Sequence, residues 1–408
     1  MSVPPPALAP GFLPYGRQVI DDDDVAAVAE VLRGDFLTTG PTVDAFEAAF
    51  ATAVDAPHAV ACSSGTAGLH LAMLALGVGP GDAVVVPSVT FLASANCVAY
   101  VGADVAFADV NADTGLMGAA GAEAAAERVG RDRVKAIVAV HLNGHCVDVA
   151  ALADAFPGVP IVEDACHALG GSMRAGDQGW HKVGAVPDSA IAMFSTHPVK
   201  TIATGEGGVL TTRDPVLDER MRRYRNHGMV RDPARFTDRA RAFDSTGAPN
   251  TWYYEMPEPG FNYRLSDIHA ALGLRQIGKL DRFVAARRSL RARYEDRLAG
   301  LGRHVRPLPV AAGCEPAWHL SVALIDFPAL GTERAAVMNA LRERGIGTQV
   351  HYIPVHGQPY FREHHPSPEL PGAEAYYARC LSLPLFPAMT DTDVDRVVDT
   401  LAEVLGVG

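Results

Sequence analysis

The sequence predicts an α/β fold in which a large domain built on a mostly parallel sheet precedes a smaller α+β domain. Between residues 60 and 212, short apolar runs alternate with segments patterned at helical spacing, as strands sandwiched by helices require. Most of these runs end in polar residues at their C-terminal side. After about Ser266 the texture changes to longer helical stripes. At 408 residues the chain exceeds what one hydrophobic core usually serves, so two domains are expected, residues 1–266 and 267–408.

The expected strands are AVVVP at 83–87, VKAIVAV at 134–140, PIVED at 160–164, AIAMFS at 190–195 and GVLTT at 208–212. Ligands of open α/β sheets bind beyond the C-terminal ends of the strands, which places His141, Asp164 and Ser195 for chemistry. Leu69, Met73 and Leu76 recur at helical spacing behind Ser63-Ser64-Gly65-Thr66. Ile277, Leu280 and Val284, continued by Leu290, Tyr294 and Leu298, predict one long connecting helix at the start of the second domain. Near the end, Val394, Val397, Val398, Leu401 and Leu405 share a helix face, with Thr390 or Thr392 as its cap.

Apolar residues make up 48% of the chain and charged residues 20%, the balance of an ordinary globular protein. A net charge of −12 argues against a general affinity for nucleic acid or for an anionic membrane, while leaving room for a local anion site. Residues 56–81 and 83–103 carry no Lys, Arg, Asp or Glu, but Gly, Pro, Ser and Asn interrupt both, so buried core is expected rather than a bilayer span. The six cysteines lie at wide, irregular spacings without a CxxC pair, which fits free thiols in a reducing cytoplasm. The N-terminal PPPALAP stretch lacks the basic start and apolar run of a signal peptide, so a cytoplasmic protein is expected.

Lysine is rare, with four residues (Lys135, Lys182, Lys200, Lys279) against 31 arginines. Only lysine offers a primary amine that forms a Schiff base and shifts its pKa readily on burial. Lys135 opens a strand, Lys182 sits in a polar turn and Lys279 lies on a helix face, so each has a plain explanation. Lys200 follows the strand ending at Ser195 and precedes TGEGG, where glycines let backbone approach a ligand; a surface charge is the competing reading. Asp164 ends PIVED at a sheet edge, where a carboxylate wants a cationic partner, or else it caps a helix. The small-residue turn Ser63–Thr66 feeds a helix N-terminus, a favourable place for a phosphate, although many helices begin this way. Phe91 either stacks on a planar ring or fills core. His141, His145 and Cys146 lack a second ligand set at zinc-like spacing, and His351 with His356 suggests a pocket wall, so no metal is expected.

Six segments, SSGTAGLHLAM, VPSVTFLASAN, VEDACHALGG, FSTHPVKTIATGEGG, NHGM and GFNYRLSDIHAALG, stand in the order and at the separations found in the DegT/DnrJ/EryC1 sugar aminotransferases, which the chain therefore resembles. That resemblance implies the pyridoxal phosphate (PLP) fold of type I, like aspartate aminotransferase, and a homodimer with shared active sites. It implies that Lys200 forms the Schiff base with PLP and that Asp164 pairs with the pyridine nitrogen. His167 would lie near the ring hydroxyl and Phe91 would stack on the ring. Gly65, Thr66, Ala67 and Ser195 would hold the phosphate, with Asn262 reaching in from a second protomer. Thr196 departs from the family, whose members usually have an aromatic residue there, and this alters the expected pocket beside Ser195.

A narrower resemblance runs from about residue 12 to the C-terminus. LPYGRQ, DFLTTGP, NADTGLM, WYYEMPEPGFNYRLSDIHAALGLRQIGKLD, VHYIPVHGQPY and AEAYYARCLSLPLFP look like the aminotransferases of the pseudaminic-acid pathway. These move the amino group of L-glutamate to C4 of a UDP-linked 4-keto-6-deoxy-N-acetylhexosamine, giving UDP-4-amino-4,6-dideoxy-N-acetyl-β-L-altrosamine. The match makes Tyr15, Asp35, Phe36, Leu37, Thr38, His351, Tyr352, Ile353 and Pro354 candidates for the sugar pocket, and Arg264 the candidate for the donor carboxylate. Amination of another nucleotide-linked 4-keto or 3-keto sugar is the near alternative. Sugar dehydration is disfavoured because dehydrating relatives have His in place of Lys200. A non-catalytic nucleotide-sugar sensor is disfavoured by Lys200, Asp164 and Ser195 together.

Overall fold

The computed structural model describes residues 11–407, so the PPPALAP stretch lies outside the described residues. In chain order the strands are β1 (His58–Cys62), β2 (Ala83–Pro87), β3 (Asp104–Ala108), β4 (Val134–Val140), β5 (Ile161–Asp164), β6 (Ser172–Arg174), β7 (Trp180–Lys182), β8 (Ile191–Ser195), β9 (Gly208–Thr212), β10 (Val305–Pro307), β11 (Cys314–Glu315), β12 (Ser321–Ile325) and β13 (Cys380–Leu383). A seven-stranded sheet in the order β1-β9-β8-β5-β4-β2-β3 forms the centre, and β9 alone runs against the others. Its strands are buried almost throughout, because helices cover both faces of a mostly parallel sheet. A second sheet, β10-β12-β13, packs under the helices Leu280–Ala299 and Asp391–Leu405, and a third, β11-β6-β7, brings the late strand β11 back against the first half of the chain.

The five expected strands all form, and β1 (HAVAC) and β3 (DVAFA) add the two outer strands of the large sheet. As an outer strand, β1 has an open edge, and side chains close it. Ala61 N–H donates to Glu47 at 2.8 Å, while Arg222 and Arg225 donate to the carbonyls of Ala59 and Ala61 at 2.7 and 2.6 Å. Both arginines also pair with the buried Glu47 carboxylate. The end of β1 is thereby fixed where the chain turns through Ser63 and Ser64 into the helix Gly65–Ala75.

The connecting helix expected as one piece is two, Asp267–Ile277 and Leu280–Ala299, broken at Gly278 and Lys279. Glycine is a poor helix former, and Lys279 turns away to bind Asp21 at 2.6 Å and Asp24 at 2.8 Å. Lys279 is thus an ion-paired residue between helices rather than one on a helix face. The helix Asp267–Ile277 packs on the helices Asp22–Arg33 and Pro41–Ala53, alongside the large sheet. Lys182, expected in a turn, lies in β7 with its amine on the Ala53 carbonyl at 3.0 Å. The C-terminal helix starts with Thr390 as cap, in a reciprocal box with Asp393. Among the described residues no helix is long and apolar enough to cross a membrane.

Candidate active site

A cavity of about 590 Å³ opens at the C-terminal edge of the large sheet, where β1, β5 and β8 end and β2 leads into the helix Leu92–Tyr100. Lys200 and Asp164 both line it. Asp164 ends β5 and is 6% exposed. Its Oδ2 accepts the Ser94 hydroxyl at 2.6 Å, and Ser94 Oγ lies 2.7 Å from Thr90 Oγ1. Its Oδ1 accepts the Cys166 N–H at 3.3 Å. The carboxylate lines the cavity at the sheet edge and caps none of the described helices.

Lys200 sits in the turn after β8, its N–H bonded to the His197 carbonyl at 2.8 Å. Burial pushes its amine below the ordinary lysine range; the Cys166 and Asp164 charges oppose this and the buried Arg287 adds to it. Three histidines beside it stay neutral for the same reason. His167 and His319 are held well below the usual histidine range by burial, and His351 is pushed down to about 3 by burial and by Lys200. The His167 tautomer follows from its partners. Asn143 N–H donates to Nδ1 at 3.2 Å, so Nε2 carries the proton and donates to the Tyr352 oxygen at 3.2 Å. The rings of His167 and Tyr352 stack at 6.0 Å.

At the other end of the cavity lies the first turn of the helix Gly65–Ala75. Ser64 Oγ accepts the Ala67 N–H at 3.1 Å and Ser64 O accepts the Gly68 N–H, while the first-turn N–H groups of Gly65 and Thr66 have no carbonyl ahead of them in the helix. Gly65 is needed there, since a Cβ would stand 3.0 Å from Ser195 Cβ. Gly208 is needed behind it, because a Cβ there would lie 2.7 Å from the Ser64 carbonyl. Phe91, at the start of the next helix, is 54% exposed over the cavity, 5.9 Å from the Tyr352 ring. An aromatic left open above a cavity has the place of a stacking platform rather than of core.

These residues fit PLP. An amine with lowered proton affinity and a carboxylate with free lone pairs face one cavity, a helix N-terminus lined by Ser195 suits a phosphate, and an open aromatic face suits a planar ring.

Tyr15, His351, Tyr352 and Ile353 line the same cavity, although Tyr15 comes from the N-terminal segment and the others from near the second sheet. Several sequence candidates do not. Ala67 lies one step into the helix, with its N–H taken by Ser64, and Pro354 is outside the lining. Asp35, Phe36, Leu37 and Thr38 are outside as well, because Asp267 holds their turn elsewhere. Asp267 accepts the N–H groups of Gly40 at 2.8 Å and Thr42 at 3.0 Å, and its own N–H donates to Leu37 O. Thr38 bridges to Ser266, and Asn262, which bridges to Asn226, is exposed and also outside the cavity. Arg264 is bonded to the Asn226 side chain at 2.7 Å and does not reach the cavity. Among the described residues no arginine lines it.

Thr196, where the sequence departs from the family, does not line the cavity: it is fully buried with its hydroxyl 2.6 Å from that of Thr204. His356 bonds Ser88 at 2.5 Å, and His141 pairs with the buried Glu163 at 2.7 Å. Glu206, Gln349 and Gln358 line the cavity without having stood out in the sequence. Thr90 and Ser94, which orient Asp164, carry a weak signal as two hydroxyls four apart in an apolar segment.

Residues 18–402 match the sequence pattern of the DegT/DnrJ/EryC1/StrS aminotransferase family. The fold is similar to that of the aminotransferase TlmJ from Streptoalloteichus hindustanus, with 31% identity over 97% of this chain and 99% of that one and a TM-score of 0.84. It is equally similar to Helicobacter pylori PseC, an aminotransferase involved in the biosynthesis of pseudoaminic acid, with 27% identity, the same coverage and a TM-score of 0.84. The PLP form of the sugar aminotransferase Spr1654 from Streptococcus pneumoniae matches at 25% identity over 97% of this chain and 99% of that one, with a TM-score of 0.83.

Proposed function

The chain belongs to the DegT/DnrJ/EryC1/StrS aminotransferase family, and from that premise we propose that it transfers the amino group of L-glutamate to C4 of a UDP-linked 4-keto-6-deoxy-N-acetylhexosamine. It is a PLP-dependent sugar aminotransferase. The observation that carries the finer reading is the convergence of Tyr15 with His351, Tyr352 and Ile353 on the cavity that holds Lys200. These belong to the segments that look like the pseudaminic-acid-pathway enzymes.

Bound PLP supplies a ring that takes up the electron pair left when the C–H bond beside an attached amine breaks. Lys200 would be both the anchoring amine and, when displaced, the base that takes the α-proton of the donor and delivers it across the nitrogen to the cofactor carbon. Burial lowers its proton affinity and so favours the neutral amine that this role needs. Asp164, held by Ser94 and the Cys166 N–H, is the carboxylate that would pair with the ring nitrogen and favour its protonated form. His167 donates from Nε2 to Tyr352, which leaves the tyrosine proton free to point at a sugar oxygen.

Amination of a panel of UDP- and dTDP-linked 4-keto sugars, with the C4 configuration of each product read by NMR, tests the substrate. Turnover of the UDP-linked N-acetylhexosamine to the 4-amino-altrosamine is the expected result. Turnover of dTDP sugars alone would leave the family and remove the narrower assignment.

Both substrates are anionic, yet the cavity of one chain holds no arginine. Asn262, Phe36 and Leu37 are each exposed outside it. These features support a homodimer in which each copy completes the other's site, with Asn262 at the partner's phosphate. Mixing Lys200→Ala with Asn262→Ala should then restore activity, since a mixed dimer has one site with both residues intact. Demonstrated subunit exchange without any recovery would rule the shared site out.

A further inference from the structure

Away from the cavity, two of the six cysteines meet. Cys146 follows the turn after β4 and is buried, whereas Cys314 opens β11 and is half-exposed. The Cys146 N–H donates to Cys314 Sγ at 3.1 Å, and the Cys146 thiol bonds the Ser172 carbonyl at 3.8 Å on β6, the strand that pairs with β11. The sulfurs of Cys62, Cys97 and Cys380 bond only to nearby carbonyls.

The surroundings divide the pair into unequal partners. Arg288 bonds the carbonyls of Pro316 and Glu315 beside Cys314. The Cys146 thiol, the Cys146 N–H and the Arg288 charge together hold the Cys314 thiol below the usual cysteine range, against the effect of burial. The neighbouring Cys314 sulfur, together with burial, holds Cys146 well above that range. A partly exposed cysteine whose sulfur accepts the backbone N–H of a buried one, with an arginine close by, suits a peroxide-reactive cysteine and its resolving partner.

We propose that Cys314 and Cys146 form a reversible dithiol–disulfide site, in which Cys314 reacts first with a hydroperoxide and Cys146 resolves it. The Cys314 sulfur attacks one oxygen of hydrogen peroxide and the O–O bond breaks; the other oxygen leaves as water and Cys314 becomes a sulfenic acid. The Cys146 sulfur then attacks the Cys314 sulfur, the S–O bond breaks, and the hydroxyl leaves as a second water with the Cys146 proton. Two thiols and one peroxide give one disulfide and two waters, the sulfurs losing two electrons to the peroxide. A small thiol reverses the bond by exchange.

The bond would join segments that already touch. Gly144 has φ 94°, and a Cβ there would stand 2.0 Å from the Ala317 carbonyl; His319 N–H donates to Asn143 O at 3.0 Å. Asn143 is the residue whose N–H sets the His167 tautomer, so the disulfide would fasten the turn beneath that histidine.

The test uses the PLP-loaded wild-type protein. Iodoacetamide should alkylate Cys314 at least about tenfold faster than Cys62, Cys97 or Cys380. Hydrogen peroxide, followed by alkylation and digestion, should yield one linked peptide pair joining residues 146 and 314, absent after dithiothreitol. In Cys146→Ser, dimedone should instead trap a sulfenic acid on Cys314. Alkylation of Cys314 no faster than of the buried thiols, or no 146–314 linkage at excess peroxide, would overturn the proposal. Should Cys146→Ser fail to fold, the two wild-type measurements still decide it.

Discussion

Lys200→Ala is expected to lose the visible absorbance of lysine-bound cofactor and to lower transamination by about 10⁴-fold or more, the upper range of positioned general acid–base catalysis. The fold should survive, because the side chain faces a cavity and no ion pair depends on it. No other lysine can take its place: Lys279 is bound to Asp21 and Asp24, Lys182 to Ala53 and Asp55, and Lys135 is exposed on β4. Absorbance titration of purified protein with PLP, alongside single-turnover assays of each half-reaction, checks this. Retained turnover would remove the mechanism.

Asp164→Asn should lower kcat on the order of 10³-fold while leaving PLP bound. The substitution keeps the shape and so preserves a partner for the Ser94 hydroxyl and the Cys166 N–H. What it removes is the negative charge that favours a protonated ring nitrogen. Because Lys200 and the phosphate site are untouched, the variant should still be coloured, which separates loss of charge from loss of cofactor. Rate measurement with spectrophotometric quantification of bound PLP gives both numbers, and near-normal turnover would reduce Asp164 to a structural residue.

The parts of the fold that were legible in the sequence were those with an uninterrupted local signal. VKAIVAV spans β4 from end to end because a strand buried on both faces is apolar along its buried length, here everywhere but the exposed Lys135 at its start. HAVAC and DVAFA are as apolar, but the first merges into the charge-free stretch that continues as a helix and the second starts at an aspartate, so neither stands out by pattern. The break at Gly278 was hidden because the apolar spacing continues across it, and its cause is an ion pair with Asp21 and Asp24, more than 250 residues away.

For the site, Lys200, Asp164, Ser195 and Gly65 were readable since strand ends and glycine turns fix their positions locally. The roles of Thr90, Ser94 and Asn143 depend on tertiary contacts that no local pattern encodes. The displacement of the Asp35–Thr38 turn from the cavity has the same origin, because Asp267 decides it from a distance.

The cavity has a floor and a wall of different ancestry within the chain. Its floor, with Lys200, Asp164 and Gly65, is bolted to the large sheet; its wall, residues 349–353, hangs from β13 through the Gln349–Ser382 pairing and from β2 through the Val355 N–H on Ser88 O. On the proposed function, substitutions in that wall are expected to change which sugar is accepted while Lys200 and Asp164 keep their places, whereas substitutions of those two are expected to lower every reaction alike. Natural drift toward new sugars, and deliberate redesign, both have their accessible route through the wall.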